Sequence, residues 1–159
     1  MAHHNRRTII GIYMLAFVAL ADQVTKGLVL ESVHDVNHIL PLTSFLNLVL
    51  VRNEGITFGI LSHIGHSYMP FILVGIAAVI MGMLGRWLWR THETGVALAL
   101  GAIMGGAIGN VIDRLHYGAV VDFIDFYYDK YHWPAFNFAD SAIVVGVALL
   151  LIDGMLHAR

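Results

Sequence analysis

The sequence predicts an all-α membrane protein in one domain, four transmembrane helices with a small β-element on one membrane face. Three observations predict it. Hydrophobic residues make up 58% of the 159 positions and charged residues 13%, against roughly half and a quarter in soluble domains. Residues 9–30, 68–88, 95–112 and 138–156 are each long and apolar enough to cross a bilayer. With four spans, the arginines at residues 6 and 7, 86 and 90, and 159 then share one side of the membrane.

The first run follows Arg6 and Arg7, as a signal peptide would, but residues 9–30 are too long for a signal core. It is therefore expected to be retained as a helix. Helices are the default for all four spans, because lipid offers the backbone no hydrogen bonds. Arg6 and Arg7, Arg86 and Arg90, and Arg159 mark one side, which the positive-inside rule makes cytoplasmic. Glu31, Asp35, Glu54, Asp122, Asp125 and Asp129 lie on the other. Trp87 and Trp89 suit the cytoplasmic interface, and Tyr127, Tyr128, Tyr131 and Trp133 the outer one.

Between the first two spans, Phe45 to Val51 is apolar and β-prone but far too short to span. Pro41 breaks it upstream and Asn53-Glu54-Gly55 reads as a turn downstream. A β-element over residues 37–62, lying on the outer surface, is expected. Residues 116–136 read as a second outer loop, rich in acids and aromatics, with room for a short interfacial helix. In the third span, Gly101, Gly105, Gly106 and Gly109 form a smooth face for close helix packing.

Composition narrows the chemistry. A net charge of −2 gives no reason to expect nucleic acid, and no cysteine is available for disulfides, a thiol nucleophile or lipidation. Ser141 follows Asp140, but no Gly-x-Ser-x-Gly elbow surrounds it; a Ser141–Lys26 dyad is the remaining serine option. His92-Glu93 lacks the second histidine of a zinc peptidase. His34 and His38 have metal-compatible spacing but read as solvated side chains. No metal or cofactor is expected.

Ionisable groups inside a membrane are costly and point to function. Asp22 and Lys26 lie one turn apart in the outer half of the first span. Asn110, Asp113 and Arg114 close the third span at its outer end, and Asn137 and Asp140 open the fourth there. Asp122 lies in the loop just before. All reach one level, a little below the outer interface; Asp153 lies away from it. Two close carboxylates share a proton, so that one activates water while the other polarises a carbonyl. Spacing leaves two readings of Asp122 and Asp140 open: such a pair, or acids paired with Arg114 or Lys26. A proton-coupled transporter also uses buried ions, but nearer the midplane.

The motifs are more specific. Gly105-Gly106-Ala107-Ile108-Gly109-Asn110-Val111-Ile112-Asp113-Arg114 is followed by Gly118-Ala119-Val120-Val121-Asp122-Phe123 and Phe136-Asn137-Phe138-Ala139-Asp140-Ser141. With Asp22-Gln23-x-x-Lys26 and Asn53-Glu54-Gly55-Ile56-Thr57-Phe58-Gly59, this closely resembles the lipoprotein signal peptidase family, signal peptidase II, over the whole chain.

The resemblance implies a bacterial cytoplasmic-membrane aspartic peptidase. It would cut diacylglyceryl-modified prolipoproteins on the N-terminal side of the lipidated cysteine. Asp122 and Asp140 match the catalytic dyad. Asn53, Asn110, Arg114 and Asn137 match substrate-binding or site-shaping residues, and Asp22, Lys26, Asp113 and Gly109 supporting ones. The implied fold is a four-helix bundle with an outer β-cradle and a mobile interfacial helix. A monomer acting in contact with membrane lipid is expected. Ile56 and Thr57 stand where the family pattern has small residues, and Phe138 is bulky for its position; these bear on cradle packing and substrate fit.

Overall fold

The computed structural model describes residues 2–33, 39–55 and 68–157. Its helices are α1 (Ala2–Ser32), α2 (Met69–Arg90), α3 (Thr94–Tyr117) and α4 (Phe138–His157). Its strands are β1 (Leu40–Pro41), β2 (Leu46–Asn53), β3 (Val120–Tyr128) and β4 (Tyr131–His132). All four helices are long and apolar enough to cross a membrane. Their outward faces are apolar and exposed, as at Phe17, Leu20, Val79 and Val144, which suits hydrocarbon as the surrounding solvent.

α3 is the central helix, packed on α1, α4 and α2. Its small residues allow this. A Cβ at Gly101 would run into the Gly11 carbonyl oxygen of α1, and one at Gly106 into the Ala139 carbonyl oxygen of α4. Bare backbone on α3 thus brings both neighbours close. α3 also runs past residue 112, where hydropathy ends the span, because Asn110 and Asp113 turn inward and are buried. It stops at Gly118, whose left-handed φ of 74° and N–H bond to the Arg114 carbonyl cap the helix.

The strands form one antiparallel sheet in the order β1-β2-β3-β4. Asn53 pairs with Val120 and Val51 with Asp122, with a register shift between Leu48 and Val51. Residues 116–136 therefore differ from the loop and short helix expected there: β3 and β4 fill most of the segment. Composition and pairing both favour the strand. Val120, Val121, Phe123 and Ile124 are β-branched or aromatic, and pairing with β2 satisfies two backbones that could not otherwise be buried. Ile56, Thr57, Phe58 and Gly59, and His34, Asp35 and His38, lie outside the described residues, as does Arg159.

An apolar cluster fastens the sheet to the bundle. Val29 of α1 and Val33 just beyond it meet Leu50 of β2 and Val121 and Phe123 of β3. The bulky Phe138 packs part-buried against this cluster. Side chains alternate along a strand, so the seating of Val121 and Phe123 in this core turns Asp122, between them, to the other side.

Candidate active site

The polar layer is built on Lys26. Its ammonium lies 2.8 Å from Asp22 and 2.8 Å from Asp113, and donates to Asn110 Oδ1 at 3.1 Å. All three charged groups are buried, so the attraction acts in a poorly screening environment, and removing one partner would strand a buried charge. Gln23 ties α1 to α3 again, donating to Asp113 at 3.0 Å and to the Gly109 carbonyl at 3.2 Å. Gly109 has no side chain because the Asp22 carboxylate occupies that space.

This ion cluster sets the backbone beside both candidate catalysts. Asp113 accepts the Val121 N–H at 3.0 Å, one residue before Asp122. Asp22 accepts the Ala139 N–H at 3.0 Å, one residue before Asp140. The resulting positions bring Asp122 and Asp140 together through two asparagines. Asn137 Nδ2 donates to Asp122 Oδ1 at 2.7 Å, while its Oδ1 accepts the Asp140 N–H at 2.9 Å. Asn110 Nδ2 donates to Asp140 Oδ1 at 2.8 Å, and its Oδ1 accepts from Asn137 at 3.2 Å. Asn53, at the end of β2, donates to the second Asp122 oxygen at 2.9 Å.

Asp122 is 1% exposed, and burial pushes its carboxyl up from the ordinary 3.8 to about 6. The Asn53 hydrogen bond works against this rise, the neighbouring charge of Asp140 adds to it, and Asn137 and Lys26 oppose it more weakly. Asp122 therefore keeps its proton to a higher pH than an exposed carboxyl would.

Lys26, held by three partners, and Ser141, whose hydroxyl donates to the Asn137 carbonyl at 3.0 Å, are not set up as a dyad. Asp22 is paired with Lys26, one turn away, and Lys26 also holds Asp113. The Arg114 guanidinium donates to the Asn110 carbonyl at 3.2 Å, and its Nε is buried without a partner. Arg114 also lines a cavity of about 440 Å³ with Arg52, Glu54, Phe71 and Tyr117; neither Asp122 nor Asp140 is among its walls. Asp125 belongs to a separate cluster, accepting from Asn47 at 2.9 Å and lying 2.9 Å from His132 Nδ1.

Sequence reasoning assigned no role to Gln23, Asn47 or His132. Gln23 had a usable signal, a polar amide inside an apolar span. Asn47 and His132 had none, since their link to Asp125 depends on strand register.

Fold and site together define a multi-pass membrane protein with a layer of buried polar side chains at one end of its bundle. Comparison with known proteins makes this specific. Residues 14–156 match the family model for signal peptidase (SPase) II. The chain is 39% identical to a lipoprotein signal peptidase of Syntrophotalea carbinolica, over 92% of this chain and 93% of that protein. It is 45% identical to one of Burkholderia mallei, over 94% and 89%. A solved bacterial membrane enzyme superposes with a TM-score of 0.80 at 31% identity, covering 94% of this chain and 89% of that one. The chain belongs to the signal peptidase II family, and is a membrane peptidase by that membership.

Proposed function

We propose that the protein is an aspartic endopeptidase of the bacterial inner membrane. Its substrates are prolipoproteins that already carry diacylglycerol on a cysteine, and it cuts the peptide bond on the N-terminal side of that residue. The relatives' shared name supports prolipoprotein processing. The observation that carries the mechanism is the Asn137 bridge, whose two ends touch Asp122 and the Asp140 backbone.

In this reading the ionised member of the pair takes a proton from water, and the water oxygen attacks the scissile carbonyl carbon. The protonated member gives its proton to the carbonyl oxygen. On collapse the C–N bond breaks and the leaving amine takes up a proton. The products are a signal peptide ending in a carboxylate and a lipoprotein with a free cysteine amine. The proton belongs to the pair, so the roles of Asp122 and Asp140 are interchangeable in this scheme. Asn53, Asn110, Asn137 and Arg114 align the extended substrate by hydrogen bonding, and Asp22, Lys26, Asp113 and Gly109 hold the frame. No cofactor is needed for these steps.

Both termini are cytoplasmic and the dyad lies near the outer leaflet, as the Lys and Arg distribution favours. The substrate's acyl chains then stay in that leaflet while the scissile bond reaches the carboxylates. A single copy of the chain suffices.

The test compares Asp122→Asn, Asp140→Asn and Asp125→Asn on a diacylglyceryl-modified precursor, followed by gel shift. The first two abolish maturation at equal expression, and Asp125→Asn, in its separate cluster, matures the precursor within a few-fold of the unaltered rate. Near-normal maturation by either dyad variant overturns the reading.

A further inference from the structure

The end of α2 farthest from the dyad carries a second concentration of charge that peptide cleavage does not use. Arg86 and Arg90 stand one helical turn apart on one face, both exposed. Two cavities share them. One, of about 760 Å³, is lined by Arg86, Trp89, Arg90 and His92. The other, of about 260 Å³, is lined by Met83, Arg86, Trp87 and Arg90. No residue of α2 is acidic, so the arginines meet no carboxylate from their own helix; Glu93, at the start of the next, is exposed.

An apolar track leads from this pair toward the bilayer centre. Ile72, Ile76, Val79, Ile80 and Met83 recur at helical spacing and are exposed, and Trp87 continues the track to the charges. Gly75 and Gly82 lie along α2 with open space where a side chain would begin. From Ile76 to Arg86 the helix rises about 15 Å, half of a hydrocarbon core of about 30 Å. Cation, amphipathic indole and apolar track therefore come in the order of headgroup, interface and acyl chain.

We propose that Arg86 and Arg90 bind the phosphate of an anionic phospholipid in the leaflet opposite the active site, its acyl chains lying along the exposed face of α2. The guanidinium fork matches phosphate oxygens in a way a point charge does not. Trp87 and Trp89 offer rings suited to the headgroup level. A free phosphate ion would satisfy the arginines but leave the apolar track unused.

The three tryptophans make the site readable, since Trp133 is the only one outside α2. The full chain carrying Trp133→Phe is placed in phosphatidylcholine vesicles. These contain a small, equal fraction of either bromine-labelled phosphatidylglycerol or bromine-labelled phosphatidylcholine. Bromine on the acyl chains quenches the α2 indoles on contact. The phosphatidylglycerol is expected to be enriched about thirtyfold around them, near what two surface arginines supply. Arg86→Gln with Arg90→Gln removes the enrichment, and Arg6→Gln with Arg7→Gln leaves it in place. Equal quenching by the two lipids overturns the proposal, and this comparison needs no arginine variant to fold. Equal loss in the Arg6/Arg7 variant also overturns it, since bulk charge is then enough. Loss on adding inorganic phosphate, where chloride at the same ionic strength has no effect, would show competition for the arginine fork and support the phosphate contact.

Discussion

Asp113 accepts the Val121 N–H at 3.0 Å while its carboxylate faces the Lys26 ammonium at 2.8 Å. The residue that follows Val121 is Asp122, so a buried ion pair between two helices sets the strand that carries a candidate catalyst. Asp22 does the same for Asp140 through Ala139. Asp113→Asn keeps an oxygen for Val121 but leaves Lys26 with one carboxylate fewer. Breaking a buried pair costs about 3–5 kcal/mol, and a small displacement of a reacting group costs about 100-fold in rate. The variant should lose apparent thermal stability in detergent and lose kcat far more than it changes KM. A variant with unchanged kcat and a large rise in KM would mean that Asp113 acts on substrate binding instead.

The Asp122 carboxyl, raised by burial to about 6, ties pH to both stability and turnover. Between 3.8 and about 6 the folded chain holds a proton that the unfolded chain has released, so stability falls as pH rises through this window. The full effect is roughly 3 kcal/mol. Asp122→Asn cannot ionise, so its melting temperature relative to the unaltered chain should climb from pH 4 to pH 8. A difference that is flat across that range removes the buried charge from the account. If the pair works with one proton, kcat/KM should fall as pH rises above about 6, because that proton leaves the free enzyme.

Gly109 is legible as a packing residue in the sequence, but its neighbour is not. A Cβ there would overlap the Asp22 carboxylate, which also holds Lys26 and the Ala139 N–H. Gly109→Ala should therefore cost about 1–3 kcal/mol through overpacking and lower turnover with it. Gly82→Ala, where nothing lies within 4 Å, should leave cleavage and melting temperature unchanged. Equal behaviour of the two would show that helix propensity, not the Asp22 contact, governs position 109.

The spans and the level of the polar layer could be read early because charges inside apolar runs are expensive and stand out, as at Asp22, Lys26 and Asp113. The strand carrying Asp122 could not. Asp122 and Asp125 interrupt the apolar pattern of residues 120–128 and make it resemble a loop. β3 forms because Asn53 and Asn137 satisfy the first carboxylate, and Asn47 and His132 the second. These partners come from three other stretches of chain, and no local window contains them. The partners of Lys26 divide in the same way. Asp22 lies one turn from it and that pair is legible, whereas Asp113 reaches Lys26 from α3, across the helix interface, and so is not left to its chain neighbour Arg114.

That leaves Arg114 free for a role the helix alone would not suggest. It donates to the Asn110 carbonyl from one nitrogen, lines the cavity beside β2 and α2, and has a buried Nε with no partner. A bound peptide carbonyl would complete that nitrogen. Arg114→Lys keeps the positive charge near Asp122 and Asp140 but loses the planar fork. Turnover at low substrate should fall about tenfold or more, the worth of a hydrogen bond involving a charged group, with the melting temperature held. If kcat/KM and melting temperature fall together, Arg114 serves chiefly to brace Asn110. If neither falls, charge alone is what the site requires at this position.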